Sequence, residues 1–139
     1  MLYQNILSAI GLIGVGAIIK SIIDFMLKSR EIKSQTQHDF KNVRYKAIIL
    51  LANALLDFEK HLPELKKHGR DFISKEQLVE ELKTERNNMI LFASDQAIKT
   101  LSDFIGDPSE NNYYEFAIAM RKDLYGLKTK IRPSNLKFQ

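Results

Sequence analysis

The hydrophobic residues of this chain are concentrated at its N-terminal end. The first charged side chain is Lys20, and an apolar run resumes after it and again after Asp24. As a helix, the uncharged part reaches about 28 Å, which is close to the ~30 Å hydrocarbon thickness of a bilayer. A Lys near one end of a span can extend its ammonium group to the interface. Residues 1–28 therefore predict a single transmembrane helix.

Two other interpretations compete with the transmembrane helix. A cleaved signal peptide requires a basic start and a cleavage site of small residues. The first five residues carry no basic side chain, and residues 24–30 offer no such site. The segment also suits a buried core helix of a soluble protein, although its apolar length favours the membrane span.

The charges that follow the apolar segment predict its orientation. Lys28, Arg30 and Lys33 lie just after it, whereas no charged side chain precedes it. The positive-inside rule then places the N-terminus outside and the rest of the chain in the cytoplasm. The absence of cysteine agrees with a reducing compartment.

Small and polar side chains recur along one side of the apolar segment. At about 100° per residue they fall within roughly half of the helix circumference. Small residues let helices approach closely in lipid, and ionisable groups there usually face protein or water. Three interpretations of the segment remain open: a simple anchor, a self-associating helix around a narrow pore, and a helix that pairs with another membrane protein. The candidate pore-lining or helix-packing residues are Gly11, Gly14, Ala17, Lys20, Ser21 and Asp24.

Helical periodicity dominates the rest of the chain. Residues 29–39 are polar, which is typical of a juxtamembrane linker or a solvated helical extension. Apolar residues then recur at intervals of three and four, and no stretch alternates with period two. The first such stripe comprises Phe40, Val43, Ala47, Leu50, Ala54, Phe58 and Leu62. The pattern predicts an all-α protein in which the transmembrane helix precedes a cytoplasmic four-helix bundle over residues 40–126.

Local signals predict the ends of the bundle helices. Pro63 is expected to interrupt the first helix. Ser74 with Gln77 forms a capping box for the second. Ser94-Asp95 and Pro108-Ser109-Glu110 begin the third and fourth, and Gly126 ends the last.

Composition and charge limit the partners. With 139 residues, the chain has room for one domain and an appendage. The net charge of +4 conceals a net of +4 over residues 41–70, −5 over 71–126 and +4 in the tail 127–139. Basic segments near a span suit the anionic cytoplasmic leaflet.

The residues offer little for catalysis. No cysteine, phosphate-binding loop or dinucleotide fingerprint is present. His61, Glu64 and His68 have helical spacing, but Pro63 is expected to bend that helix, and no second carboxylate–histidine pair completes a bundle metal site. We therefore predict no enzymatic activity, no cofactor and no metal.

Two basic groups lie beside aromatic residues. Lys41, Arg44 and Lys46 adjoin Tyr45, while Arg121 and Lys122 lie near Tyr125 and other tyrosines. Cations beside aromatic rings bind phosphates and stack bases in single-strand binding proteins. The alternative is a solvated or lipid-facing surface over core aromatics. The candidate ligand-binding residues are Lys41, Arg44, Lys46, Arg121 and Lys122.

Two stretches carry a family resemblance. They are residues 88–101, NMILFASDQAIKTL, and residues 119–126, AMRKDLYG. With the predicted topology, they resemble small prokaryotic single-pass membrane proteins with a helical cytoplasmic domain, and in particular Hailong B-type anti-phage membrane effectors. The resemblance implies an oligomeric channel in the inner membrane, controlled by single-stranded oligodeoxyadenylate from a nucleotidyltransferase-like partner. It assigns no ligand-contacting residue.

The sequence thus predicts a homo-oligomeric membrane effector, with a tetramer favoured. The transmembrane helices would form a ligand-gated pore or ion channel, and the bundle would sense an anionic, oligonucleotide-like signal. The alternative function is a membrane-tethered adaptor or scaffold that docks a protein partner on its helical bundle.

Overall fold

The computed structural model describes residues 2–127 and 130–135; the side chains of residues 2–18 and 133 lie outside this description. Five α-helices and one short 3-10 helix form this part of the chain, and it contains no strand. The all-α class predicted from the sequence is therefore confirmed. The helices are α1 (Leu2–Leu56), α2 (Phe58–Lys67), α3 (Lys75–Met89), α4 (Asp95–Gly106), α5 (Glu110–Tyr125) and the 3-10 helix Pro133–Asn135.

The chain divides into two compact units, Met1–Asp39 and Phe40–Gln139. Helix α1 continues without interruption through residues 29–39, for which a linker and a solvated helix were both open. The side chains of residues 29–37 are exposed, as they would be on a solvated helix.

The predicted membrane span lies in the first unit. Most of it falls on residues 1–18, whose side chains are outside the described ones. Within the described part of the chain, no helix has a stretch long and apolar enough to cross a bilayer. The structure therefore gives the predicted span no support, and the span stays a prediction.

The helix break in the second unit differs from the expected one. Helix α1 ends at Leu56, and the Asp57 side chain accepts a hydrogen bond of 3.4 Å from the Lys60 backbone N–H. Pro63, the expected interruption, lies inside α2. The carboxylate cap starts a new helix there, because it satisfies a backbone donor that the helix leaves unpaired. Five helical segments, not four, therefore lie between Phe40 and Gly126.

The other predicted helix ends are confirmed. Ser74, Ser94 and Ser109 are the N-cap residues of α3, α4 and α5. The predicted capping box at α3 is also formed: Ser74 Oγ accepts from the Gln77 N–H at 3.4 Å, and Gln77 Oε1 accepts from the Ile73 N–H at 2.9 Å. Gly126 ends α5 with φ +65°, a left-handed conformation that glycine adopts without strain.

All five helices contribute to the core of the second unit. Two residues of the predicted first stripe are placed wrongly, since Phe40 and Val43 are 55% and 65% exposed. The buried face of α1 instead passes through neighbouring positions, because packing against the other helices selects one side of a segment that is apolar on several faces. The large, fully buried side chains are Ile48, Leu51, Leu65, Leu78, Leu82, Met89, Leu101, Phe104 and Phe116.

Candidate functional site

The five predicted ligand-binding cations occupy three different surroundings. Lys41 and Arg44 form ion pairs inside the helical unit. Lys46 and Arg121 line a groove between α1 and α5. Lys122 is exposed on α5 but does not line that groove. The structure therefore brings together one residue from each of the two predicted basic groups.

Asp123 is the partner of Lys41 and the centre of a small polar network. Its Oδ2 lies 2.9 Å from Lys41 Nζ, accepts the hydroxyl of Tyr45, and accepts the Ser94 backbone N–H at 3.2 Å. Helix α5 is thereby joined to α1 and to the start of α4. The sequence gives no local sign of this network, because the donors to Asp123 lie 29 to 82 positions away in the chain.

The network shifts the pKa values of two of its members. Burial, the hydrogen bond to Asp123 and the negative charge of that carboxylate all raise the pKa of Tyr45 above its ordinary value. Burial alone would raise the pKa of Asp123. The hydrogen bonds from Tyr45, Lys41 and Ser94, together with the charge of Lys41, nevertheless hold it below its usual value. At neutral pH the network therefore contains a carboxylate and a protonated phenol.

Arg44, like Lys41, is paired with a carboxylate of another helix. Its Nη2 lies 2.5 Å from Oε2 of Glu85, whose side chain is only 6% exposed. A buried carboxylate requires a partner of this kind, and the guanidinium group supplies a charge-assisted hydrogen bond. Arg44 thus holds α1 against α3, and its main contact is with Glu85.

The groove between α1 and α5 is mainly apolar, and two cations, Lys46 and Arg121, are among its lining residues. It has a volume of about 280 Å³. No carboxylate lies within 4.0 Å of Lys46 or Arg121 in the described residues. Tyr45 lines the groove and also donates to Asp123, so the groove and the polar network share a residue. The lining residues are Asn42, Tyr45, Lys46, Ile49, Ala117, Met120, Arg121, Leu124 and Tyr125.

The predicted pore residues all belong to α1. Gly11, Gly14 and Ala17 belong to residues 2–18, of which only the backbone is described. Lys20, Ser21 and Asp24 are exposed in the single chain. Their place in a pore depends on a second copy and stays a prediction.

The histidines do not form a metal site in the described structure. His61 Nδ1 lies 3.7 Å from Glu64 Oε2, and His61 Nε2 lies 3.4 Å from the Asn53 amide nitrogen. His68 is the C-cap residue of α2. Among the described residues, no three His, Asp or Glu side chains are grouped as ligands of one ion.

Comparison with known proteins returned no match: no protein-family model, curated protein or solved structure is similar to this chain.

Proposed function

We propose that this chain is a homo-oligomeric membrane effector whose helical unit senses an anionic, oligonucleotide-like signal and gates a pore formed by the N-terminal helices. The observation that carries this proposal is that two cations, Lys46 and Arg121, line one groove. These residues lie 75 positions apart in the chain and line the same groove beside two tyrosine rings.

The groove suits part of a single-stranded nucleic acid. Lys46 and Arg121 have no acidic partner in the described structure, so they are available to phosphate oxygens. Tyr125 is about half exposed and supplies aromatic surface, and the partly exposed Ile49 and Leu124 supply apolar surface. Tyr45 and Met120 also line the groove but are almost fully buried. Cations that follow a backbone beside aromatic groups are the usual means of binding single strands without reading their sequence.

The membrane role rests on the N-terminal unit. No charged side chain precedes Lys20, and large apolar side chains between Ile19 and Leu27 are at least half exposed. One helix cannot enclose a pore, so ion conduction requires several copies. We propose a tetramer in the inner membrane of a prokaryote, with the helical unit in the cytoplasm and a role in anti-phage defence.

Gating requires the signal to bind the open and closed states unequally. Tyr45 provides a route, because it lines the groove and donates its hydroxyl to Asp123. A ligand that displaces the Tyr45 ring would alter the contacts of Asp123 with Lys41 and Ser94. In the proposed mechanism, this change alters how α5 is held against α1.

Binding of single-stranded oligodeoxyadenylate tests the sensing role. The wild-type chain should bind this probe with an affinity that falls as salt rises. Lys46→Gln and Arg121→Gln should each weaken binding and reduce the slope of log K against log salt by about 0.7, the value for one phosphate contact of a single strand. Lys99→Gln, at an exposed position of α4 outside this groove, is the control and should keep the wild-type slope. An unchanged slope in both groove variants would exclude the groove as the site.

Ion flux from liposomes tests the pore. The reconstituted wild-type chain should release a trapped ion in response to the signal, and both Asp24→Asn and Gly14→Leu should change the rate. Gly14→Leu fills a position where close helix approach is expected. A correctly inserted oligomer without flux, in the presence and absence of the signal, would refute the channel function.

The adaptor function is favoured by a different observation. Ile90 and Leu91, in the turn between α3 and α4, are 70% and 87% exposed. An exposed apolar pair of this kind suits a protein contact. Gene neighbourhood separates the two functions, since an adjacent nucleotidyltransferase-like gene supports the effector and its absence supports the adaptor.

A further inference from the structure

The described end of the N-terminal unit is amphipathic. Taking about 100° per residue, the large apolar side chains between Ile19 and Leu27 cover an arc of about 200°. A separate arc of about 100° on the same turns holds the polar side chains. All of these residues are exposed. The apolar arc comprises Ile19, Ile22, Ile23, Phe25, Met26 and Leu27, and the polar arc comprises Lys20, Ser21, Asp24 and Lys28.

The charges of the polar arc alternate in sign along the helix. Lys20, Asp24 and Lys28 follow one another at intervals of four residues, or about 6 Å of helix. This spacing permits ion pairs within one helix. However, none of the three side chains forms an ion pair with another described residue of its own chain. One carboxylate between two ammonium groups is therefore available to another molecule.

We propose that the occupant of this polar arc is a second copy of the chain, and that Asp24 of each copy pairs with Lys20 or Lys28 of its neighbour. The inference rests on the proposed function, in which all copies have the same orientation in the membrane. Parallel copies place three rings of charge at successive levels, positive, negative and positive. Each carboxylate then lies one helical turn from an ammonium group of the adjacent chain.

In the proposed assembly the two arcs contact different surroundings. The apolar arc faces lipid, and the charged arc faces the neighbouring helices, where ionisable groups of membrane helices usually lie. The shared orientation of the copies in the membrane, not the charges, keeps the neighbours parallel and in register. In that register each Asp24 lies between the levels of Lys20 and Lys28 of its neighbours, about one helical turn from each.

Disulfide cross-linking tests the ladder directly, because the chain contains no cysteine. In a parallel assembly, position 21 of one copy lies at the same level as position 21 of the next. Under oxidation in membranes, Ser21→Cys should form covalent dimers. Met26→Cys, on the apolar arc about 160° from Asp24, should form few. Stronger cross-linking at position 26 than at position 21 would overturn the proposal, and so would a failure of Ser21→Cys to cross-link.

Charge reversal tests the pairing. In the Ser21→Cys background, Asp24→Lys should reduce cross-linking about tenfold or more, because all three charged positions of the arc are then positive and no attractive pair remains across the interface. The double variant Lys20→Glu, Lys28→Glu should do the same. Co-expression of the two variants should restore cross-linking, since each supplies the charge that the other lacks. Undiminished cross-linking in Asp24→Lys, or no recovery on co-expression, would overturn the proposal.

Two further measurements keep the test decisive. Asp24→Asn removes the charge but retains the shape of the side chain, so it tests the pairing even if Asp24→Lys impairs membrane insertion. It should reduce cross-linking less than Asp24→Lys. Ion flux is measured separately on the same membranes. Absent flux with Asp24-dependent cross-linking refutes the channel and keeps the ladder, whereas flux without Asp24 dependence keeps the channel and refutes the ladder.

Discussion

At the scale of single residues, Asp123 joins three parts of the helical unit through its carboxylate. It accepts from Lys41, Tyr45 and Ser94, so loss of its negative charge weakens three hydrogen bonds and leaves the Lys41 ammonium without a counter-ion. We expect Asp123→Asn to lower the free energy of unfolding by about 2–4 kcal/mol, since the Lys41 ammonium would keep its partial burial but lose its counter-ion.

Thermal unfolding monitored by tyrosine near-UV circular dichroism measures this loss, as the chain has no tryptophan. Asp71→Asn is the control. Its carboxylate is 80% exposed and 3.7 Å from Lys66, a surface pair whose loss should cost less than about 1 kcal/mol. Equal effects of the two changes would show that the Asp123 network adds no stability.

Tyr45 is expected to make the helical unit less stable as the pH rises into the alkaline range. Its pKa is raised in the folded chain, so the unfolded state releases the phenolic proton first. The stabilising contribution is complete below the unfolded pKa of about 10 and decreases as pH rises above it, by up to about 1.4 kcal/mol per pH unit. Tyr45→Phe should lower stability at pH 7 and flatten the decrease above pH 10.

Urea denaturation at a series of pH values from 7 to 11 tests this expectation. The burial of Tyr113 and its neighbour Tyr114 also raise the pKa of Tyr113, so part of the decrease should remain in Tyr45→Phe. An identical pH dependence in wild type and Tyr45→Phe would contradict the assignment.

At the scale of the elements, α2 contains a proline where a helix ordinarily has a donor. Pro63 has no N–H to offer the carbonyl of Glu59, four residues earlier. Pro63→Ala should therefore raise stability by about 1–3 kcal/mol, after allowance for the greater freedom of the unfolded chain. Pro108→Ala is the control and should lower stability instead of raising it, since Pro108 precedes the N-cap Ser109 and lies outside any helix.

Chemical denaturation midpoints of the two variants give the comparison. If Pro63→Ala were destabilising, Pro63 would be holding the start of α2 in place, and the assignment of the break to the Asp57 cap would be wrong.

Element ends were more predictable than element faces. Ser74, Ser94, Ser109 and Gly126 act within a few residues of their own position, so local sequence identified them. Which face of α1 is buried depends on the helices that surround it. The sequence therefore placed Phe40 and Val43 on the inner stripe, although both are exposed.

At the scale of the whole molecule, all of the buried apolar side chains of the described residues belong to the second unit, between Tyr45 and Met120. We expect a chain that begins at Phe40 to retain the helical unit and its core. If the first unit is the membrane anchor, this shortened chain should appear in the supernatant after alkaline carbonate extraction, while the full chain should stay with the membranes.

Immunoblotting of the two fractions, with far-UV circular dichroism of the purified shortened chain, provides the measurement. Release of the full chain by carbonate would contradict the membrane span. A shortened chain that stays with the membranes would show instead that the helical unit or the basic tail holds the protein there.

The candidate site was predicted in its residue types but not in its arrangement. Local composition indicated five cations beside aromatic rings, and all five were equivalent in the sequence. The fold separated them: Lys41 and Arg44 acquired carboxylate partners from α5 and α3, while Lys46 and Arg121 were left at the groove. Partners 41 and 82 positions away have no signature in local sequence.

The sequence by itself determined the helical class, the N-cap serines, the glycine that ends α5, and the apolar N-terminal segment, because each follows from the periodicity or chemistry of neighbouring residues. Only the tertiary structure decided which side of α1 is buried, that Asp123 joins α1, α4 and α5, and which two cations share a groove. These properties depend on contacts between residues far apart in the chain, and such contacts form only when the helices pack.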